Sequence, residues 1–362
     1  MSIDVVAPAA GATRVNERGW RGFVLALVLV LASALLAFWP PALGLLAGIV
    51  GLLAPLPEPL ALLSGGIAAC AIAAWSAGGR VTLAVVWGAL ALWSFLEPLN
   101  AGAGDFDRLA RGWSLLVVCA FGLAHLVAAG RRFLSRALVA VGVATLVTLG
   151  AMAFRDVPIA RVQQLSERAI GTRVGATLGR WRQHLSDPVW QRFASAQPDM
   201  AERAYEAGRA IERTVPSAAR LAPALVALET ILILGVAWSA FHRISRVRVG
   251  TPLSALGRFR FNDQLIWGVV VGSVLTLLPA FAEWRGFGLN VLVFFGALYA
   301  LRGTGVLLGW ASDRAVAAGA IVALVVSPFL GAPLVLGVVG SAALVLGVTD
   351  TWRDWRGLNA PR

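Results

Sequence analysis

The sequence predicts an all-α, polytopic integral membrane protein, and three observations carry that prediction. Of 362 residues, 58% are hydrophobic and only 14% are charged, against roughly 25% charged in soluble domains. Mean hydropathy is +0.77, which reflects more apolar surface than a water-soluble fold can hide. The apolar residues also gather into repeated runs near the length that a helix needs to cross lipid, about 20 residues. A transmembrane barrel is excluded, because its strands alternate apolar and polar positions over about ten residues.

In chain order, Arg14, Arg18 and Arg21 precede a first apolar run at 22–39. Ala32-Ser33-Ala34 imitates a signal-cleavage site, but the run continues through Ala37 and Phe38 and favours an uncleaved span. The next run, 42–54, is too short to cross alone. Pro40-Pro41 and Pro55-Leu56-Pro57-Glu58-Pro59 bracket it, so a re-entrant or broken helix is predicted. Runs at 60–77, 81–96, 112–129, 137–154, 221–241, 264–281, 287–310, 315–330 and 334–349 bring the expectation to about ten transmembrane helices.

A polar stretch at 155–220 interrupts this pattern. Val162, Leu165, Ile170 and Val174 form one rough apolar stripe, and Trp181, Leu185, Trp190 and Phe193 form another, so amphipathic helices are predicted. Pro188 and Pro198 divide the stretch, and Pro216 precedes the next span. It reads either as a linker lying on the membrane surface or as a cap over a cavity. The expected organisation is a tail at 1–21, a transmembrane bundle at 22–154, the insert at 155–220, a second bundle at 221–349 with a basic loop at 242–262, and a tail at 350–362.

Charge placement sets the expected topology. The net charge is +12, and every one of the 31 basic residues is Arg. The arginines lie between apolar runs, a pattern of topology signals and headgroup contacts, so no nucleic-acid partner is expected. With both termini cytoplasmic, Arg80, Arg131, Arg132, Arg136, Arg243 to Arg260 and Arg353 all face the cytoplasm, while Asp105, Asp107 and the insert lie outside. Within the loop, Arg246, Arg248, Arg258 and Arg260 are interleaved with apolar residues and are expected at the interface, on lipid phosphate or a partner helix. Trp39, Trp113, Trp267, Trp284 and Trp310 near the ends of runs fit interfacial rings.

Signals for an enzyme are poor. His125, His184 and His242 stand in separate segments, and no HExxH, GxSxG or P-loop pattern occurs. Gly102-Ala103-Gly104-Asp105 matches the GxGD pattern of intramembrane aspartyl proteases, but the preceding run has no Asp to share a proton. Cys70 and Cys119 sit in apolar runs without metal spacing. A non-enzymatic protein without cofactor or metal is expected.

Charges inside apolar runs are the better functional signal, because each is costly without a partner or a wet cavity. Glu229 and Arg302 lie in spans, Tyr299 is near Arg302, and Glu58 sits in the proline-rich break. Glu229 and Arg302 are expected to pair inside the bundle, or to line a polar cavity for an anionic or zwitterionic ligand, or to serve a proton relay. Small-residue ridges at Gly65, Ala69, Ala73 and Ala77, and at Ala315, Gly319 and Ala323, suit close helix packing or docking onto another membrane subunit.

From about residue 221 the chain resembles the YybS-like family of bacterial membrane proteins. The residues that carry this are the basic stretch Arg243 to Arg248, Gly257-Arg258-Phe259-Arg260-Phe261-Asn262-Asp263-Gln264-Leu265-Ile266-Trp267-Gly268, Gly288-Leu289-Asn290 with Phe295 to Gly303, and Gly347 to Arg356. An amphipathic insert before that region and the early Pro55-Leu56-Pro57 are similar too. Arg302 departs from an uncharged polar residue common in that family. The family is distantly similar to the S components of energy-coupling-factor vitamin transporters, which dock their coupling subunit through Ala-rich helix faces. The resemblance implies a protein of the bacterial cytoplasmic membrane that binds or carries a small solute, with lipids and possible coupling subunits as partners. The alternative expectation is a non-catalytic scaffold or assembly factor acting through another membrane protein.

Overall fold

The computed structural model describes residues 40–97, 104–127, 132–245, 247, 250–310 and 333–355. Among these residues all regular structure is helical. The helices are α1 (Pro40–Leu53), α2 (Pro59–Ser76), α3 (Val81–Leu96), α4 (Asp105–Val127), α5 (Phe133–Phe154), α6 (Ile159–His184), α7 (Pro188–Ala196), α8 (Pro198–Arg220), α9 (Ala222–Ile244), α10 (Ile266–Leu277), α11 (Arg285–Trp310) and α12 (Pro333–Thr349). The expected spans at 22–39 and 315–330 lie outside the described residues.

Five helical stretches are long and apolar enough to cross a membrane: Pro59–Ser76, Asp105–Val127, Phe133–Phe154, Ala222–Ile244 and Pro279–Leu308. Val81–Leu96, Asp263–Leu277 and Gly340–Thr349 are apolar but shorter. The all-α membrane reading therefore stands. Prolines start many of these helices: Pro59, Pro188 and Pro198 occupy first-turn positions, where a missing N–H costs nothing. Pro216 precedes the next span, as expected. It lies inside α8, which continues to Arg220.

One core joins both halves of the bundle. Leu62 and Cys70 of α2, Val117 and Phe121 of α4, Ala137 and Ala144 of α5, Leu234 and Trp238 of α9 and Tyr299 of α11 belong to a single buried cluster. Alanine and glycine dominate the contact faces, so the backbones approach closely; a Cβ on Gly66 would stand 2.9 Å from that of Ala237. Lipid supplies no hydrophobic force between spans, so this interlocking packing is what holds them together.

A second core sits at the insert. Ile170, Val174, Leu178 and Trp181 of α6 and Ile211 of α8 bury their apolar face on Leu45 and Leu52 of α1. Gly48 of α1 fits against Ile211 and Leu178 at 3.4 and 3.6 Å from a built Cβ. The stripe predicted for residues 162–193 therefore covers the broken helix, and its apolar face is not spread on a membrane surface.

The chain places the two ends of the bundle apart. At one end lie the start of α2, the end of α3 and the start of α4, tied by Arg111 to Glu58 and to the Glu97 carbonyl. Asn290 brings the start of α11 there too, accepting from the Ala224 amide at 3.0 Å and donating to the Arg220 carbonyl. At the other end lie the start of α5, the end of α9, the loop before α10 and the ends of α11 and α12.

Candidate functional site

Residues 54–58 leave helical geometry between α1 and α2, so their backbone groups need partners from elsewhere. Proline supplies part of the reason, since Pro55, Pro57 and Pro59 cannot donate. The Leu56 amide donates to Glu229 Oε2 at 2.9 Å. The Pro55 carbonyl accepts from Arg173 Nη1 at 2.6 Å. Two side chains from distant elements, α9 and α6, thus take the place of the missing helical partners.

Those side chains belong to a larger charged cluster. Arg173 Nη2 donates to Asp107 Oδ1 at 2.7 Å, and its guanidinium lies 5.7 Å from the Phe106 ring centroid. Arg111 grips Glu58 through two nitrogens and reaches the Glu97 carbonyl with a third. Side chains of Arg111, Glu58, Arg173 and Asp107 are all between 15 and 30% exposed. Both guanidiniums are held by one carboxylate and one carbonyl each, which is the fork geometry Arg serves best. Glu229 is half-buried about two turns into α9. On the next residue, Thr230 accepts from Trp113 Nε1 at 3.0 Å and ties α4 to α9 beside it.

Arg302 is not the partner of Glu229. It lies at the other end of the bundle, fully buried, and donates Nε to Asp350 Oδ2 at 2.8 Å, Nη2 to the Asp350 carbonyl at 2.9 Å and Nη1 to Asp263 Oδ1 at 2.6 Å. Phe261 stacks on it with 5.4 Å from guanidinium to ring centroid. Tyr299, also buried, donates its hydroxyl to the Asp263 carbonyl at 3.4 Å. The expected pair is therefore not formed: the two charges sit at opposite ends of the bundle, each with partners of its own. In the fold the acid caps the proline break and the base binds the end of α12.

Residues 193–351 match the family described as predicted membrane protein (DUF2232). No curated protein and no solved structure matches the chain. The matched region contains Glu229, Asp263, Tyr299, Arg302 and Asp350, hence the whole acceptor set of Arg302. It leaves out residues 1–192, and with them Pro55-Leu56-Pro57, Glu58, Asp107, Arg111 and Arg173. Only Glu229 of the break-end cluster lies within it.

Other expected site residues fall as follows. Gly65, Ala69 and Ala73 pack inside the chain: a Cβ on Gly65 would stand 2.7 Å from Val118, and Ala69 and Ala73 are buried. That ridge is used for internal packing and is not a free docking face; Ala77 is exposed and ends the helix. Ala315, Gly319, Ala323, Arg246 and Arg248 lie outside the described residues. Arg258 is exposed, and Arg260 faces Asp354 at 3.7 Å, so this part of the loop is tied to the chain's own C-terminal turn. At the GxGD stretch, Asp107 accepts from the Gly104 amide at 3.0 Å and forms a local turn.

Sequence reasoning missed Arg111, Asp107 and Arg173 as members of the site. Arg136, expected to face an aqueous end, is instead buried with its guanidinium 5.3 Å from the Trp238 ring centroid. Gly250, at φ +85°, passes close enough that a Cβ would lie 3.1 Å from Trp238 and 3.2 Å from Arg136. His125 is buried as expected for a packed residue, with Nδ1 at 2.7 Å from the Phe121 carbonyl.

Proposed function

We propose that this protein binds or carries a small polar solute at the break-end cluster, as a multi-pass protein of the bacterial cytoplasmic membrane. The observation that supports this most is the unwound segment 54–58, whose backbone is held by Glu229 and Arg173 among half-buried charges. Irregular backbone at membrane depth is tolerated where it is buried in protein or lines a wet cavity. Broken helices of this kind build the solute sites of many transporters. An ionisable residue inside a span points to function by default. A non-enzymatic role is part of the same proposal.

Mass spectrometry of protein purified in mild detergent tests it. The expected result is a small molecule retained by the wild type and lost on Arg173→Gln. Retention of a stoichiometric partner protein without any small molecule would instead support the scaffold reading, in which lipids and that partner are the ligands. The proposed topology, termini inside and residues 155–220 outside, is checked by reporter fusions after residues 200 and 362. A cytoplasmic signal at 200 would reverse it.

A further inference from the structure

We infer that the insert carries a binding site of its own, a cleft for a small molecule with an apolar body and a carbonyl oxygen, separate from the proline break. The cleft lies between α6, α7 and α8 and encloses about 680 Å³, within the roughly 300–1,000 Å³ of small-molecule sites. None of these three helices is among those long and apolar enough to span a membrane. The Trp181 and Tyr205 rings, Ala194, Pro198 and Ala201 form its apolar wall. The two rings meet edge to face, with centroids 6.2 Å apart at 64°.

Trp181 is the reason to expect an acceptor on the ligand. The residue is only 2% exposed, and its Nε1 is buried with no hydrogen-bond partner among the described residues. An indole N–H only donates, and a buried donor without an acceptor is costly. The ring cannot slide away to find one, because its benzo edge rests on Gly208, where a built Cβ would stand 2.7 Å from it. An acceptor brought in through the cleft, whose wall the ring forms, removes that cost. Trp190 gives the internal comparison. Its Nε1 is also buried and unpartnered among these residues, but its ring packs on Phe193 with centroids 5.1 Å apart and stands outside the cleft wall.

Charge at the rim does not select the ligand. Arg182 pairs with Glu212, and Glu202 and Arg209 bring one charge of each sign. Glu206, Glu212 and Arg213 stand with Arg209 in the adjoining groove. Arg182, Glu202 and Arg209 are all exposed, so water and salt screen them. The selective features are the apolar wall and the one buried donor. They suit a ring or short chain that ends in a carbonyl, amide or carboxylate alike. They do not suit an ammonium, which has only donors.

The test uses the full chain in lipid nanodiscs, with the signal of empty nanodiscs subtracted. Phenylbutanamide, phenylbutanoate and phenylbutylammonium share one apolar body and differ in the head group. Saturation-transfer NMR of each probe gives its Kd. The indole N–H resonance of Trp181 in protein with isotope-labelled tryptophan reports contact at the nitrogen. The expected result is saturable binding of the amide, the carboxylate or both, about tenfold or more tighter than the ammonium, with a downfield shift of the Trp181 resonance. Amide alone marks a neutral ligand and carboxylate alone an acid, and each supports the site. Trp181→Phe keeps a ring, removes the N–H and should weaken binding about tenfold, the scale of one hydrogen bond. Ala194→Leu keeps the N–H, narrows the cleft and should weaken binding at least as much, whereas Trp190→Phe should leave it unchanged. No saturable binding of either carbonyl compound, or an ammonium that binds as tightly, overturns the inference. So does undiminished binding in Trp181→Phe or in Ala194→Leu; the second of these makes no demand on the folding of the Trp181 variant.

Discussion

Replacing Asp350 by Asn should destabilise the protein by about 3 kcal/mol, near the low end of the 3–5 kcal/mol typical for breaking a buried pair. Both Arg302 and Asp350 side chains are fully buried, so neither solvent nor salt screens the pair. Arg302 makes three charge-assisted hydrogen bonds, two of them to Asp350. The Asn variant keeps the bond to the backbone carbonyl and the shape of the side chain, but removes the buried countercharge. Asp263 remains as a counter-ion; its side chain is 51% exposed, which is why the estimate sits at the low end. By the same reasoning Asp263→Asn should cost no more than about 1 kcal/mol. The double change Arg302→Met with Asp350→Leu should recover much of the loss, because hydrophobic replacement of a buried pair is often neutral. Unfolding in mixed dodecylmaltoside and SDS micelles, followed by Trp fluorescence, measures all three. Equal losses in Asp350→Asn and Asp263→Asn, or a double variant as unstable as the sum of its parts, would refute the assignment of Asp350 as the partner that matters.

Gly303→Ala should cost about 1–3 kcal/mol as an overpacking change, since its Cβ would collide with the Ala343 carbonyl, whereas Gly142→Ala meets nothing within 4 Å and should be neutral or stabilising; thermal unfolding in detergent compares them. Arg173→Gln should release the insert from the proline break and speed limited proteolysis within residues 155–220 about tenfold, the equivalent of 1.4 kcal/mol in an opening equilibrium, with an unchanged cleavage rate counting against the clamp. Gly208→Ala, whose Cβ would stand 2.7 Å from Trp181, should shift the Trp181 environment and lower the stability of the insert by about 1–2 kcal/mol, read by fluorescence during unfolding.

The spans were legible because helix length and apolar run length are fixed by the same bilayer thickness. Runs predicted at 81–96 and 334–349 coincide with α3 and α12 to within a residue. The proline break was legible too, because proline restricts backbone without reference to tertiary structure. Partnerships were not. Glu229 and Arg302 each find polar partners, but not one another, because the tertiary packing sets them at opposite ends of the bundle and apolar run lengths do not fix that. Arg173 was hidden for a different reason. In the sequence it is one of many arginines on an amphipathic helix, and nothing local separates it from Arg168 or Arg180. Arg136 was misplaced because a residue near a helix end was assumed to face water; here Trp238 and Gly250 close over it.

The two charged clusters differ in how completely their groups are buried and paired. At Arg302 the groups are complementary: Asp350 is buried and paired through both a side-chain and a backbone oxygen, and Trp355 donates its amide to the remaining Asp350 oxygen at 3.2 Å. The close crossing of α11 and α12 makes this possible, since Gly303 and Gly347 each lie against the opposite backbone, where any Cβ would collide. Nothing can enter such a cluster without breaking a bond that fixes α12, so its chemistry serves to close the fold. At the proline break the clamp is made of side chains from α4, α6 and α9 on a segment whose helical bonds are confined to its ends, from the Ala54 amide to Val50 and from the Ala61 and Leu62 amides to the Glu58 carbonyl. The paired side chains there are between 15 and 30% exposed, so breaking one contact costs less than at the fully buried Arg302. Glu229 there accepts from a backbone amide and not from a guanidinium, so this acid serves the broken backbone where Asp350 serves a buried cation.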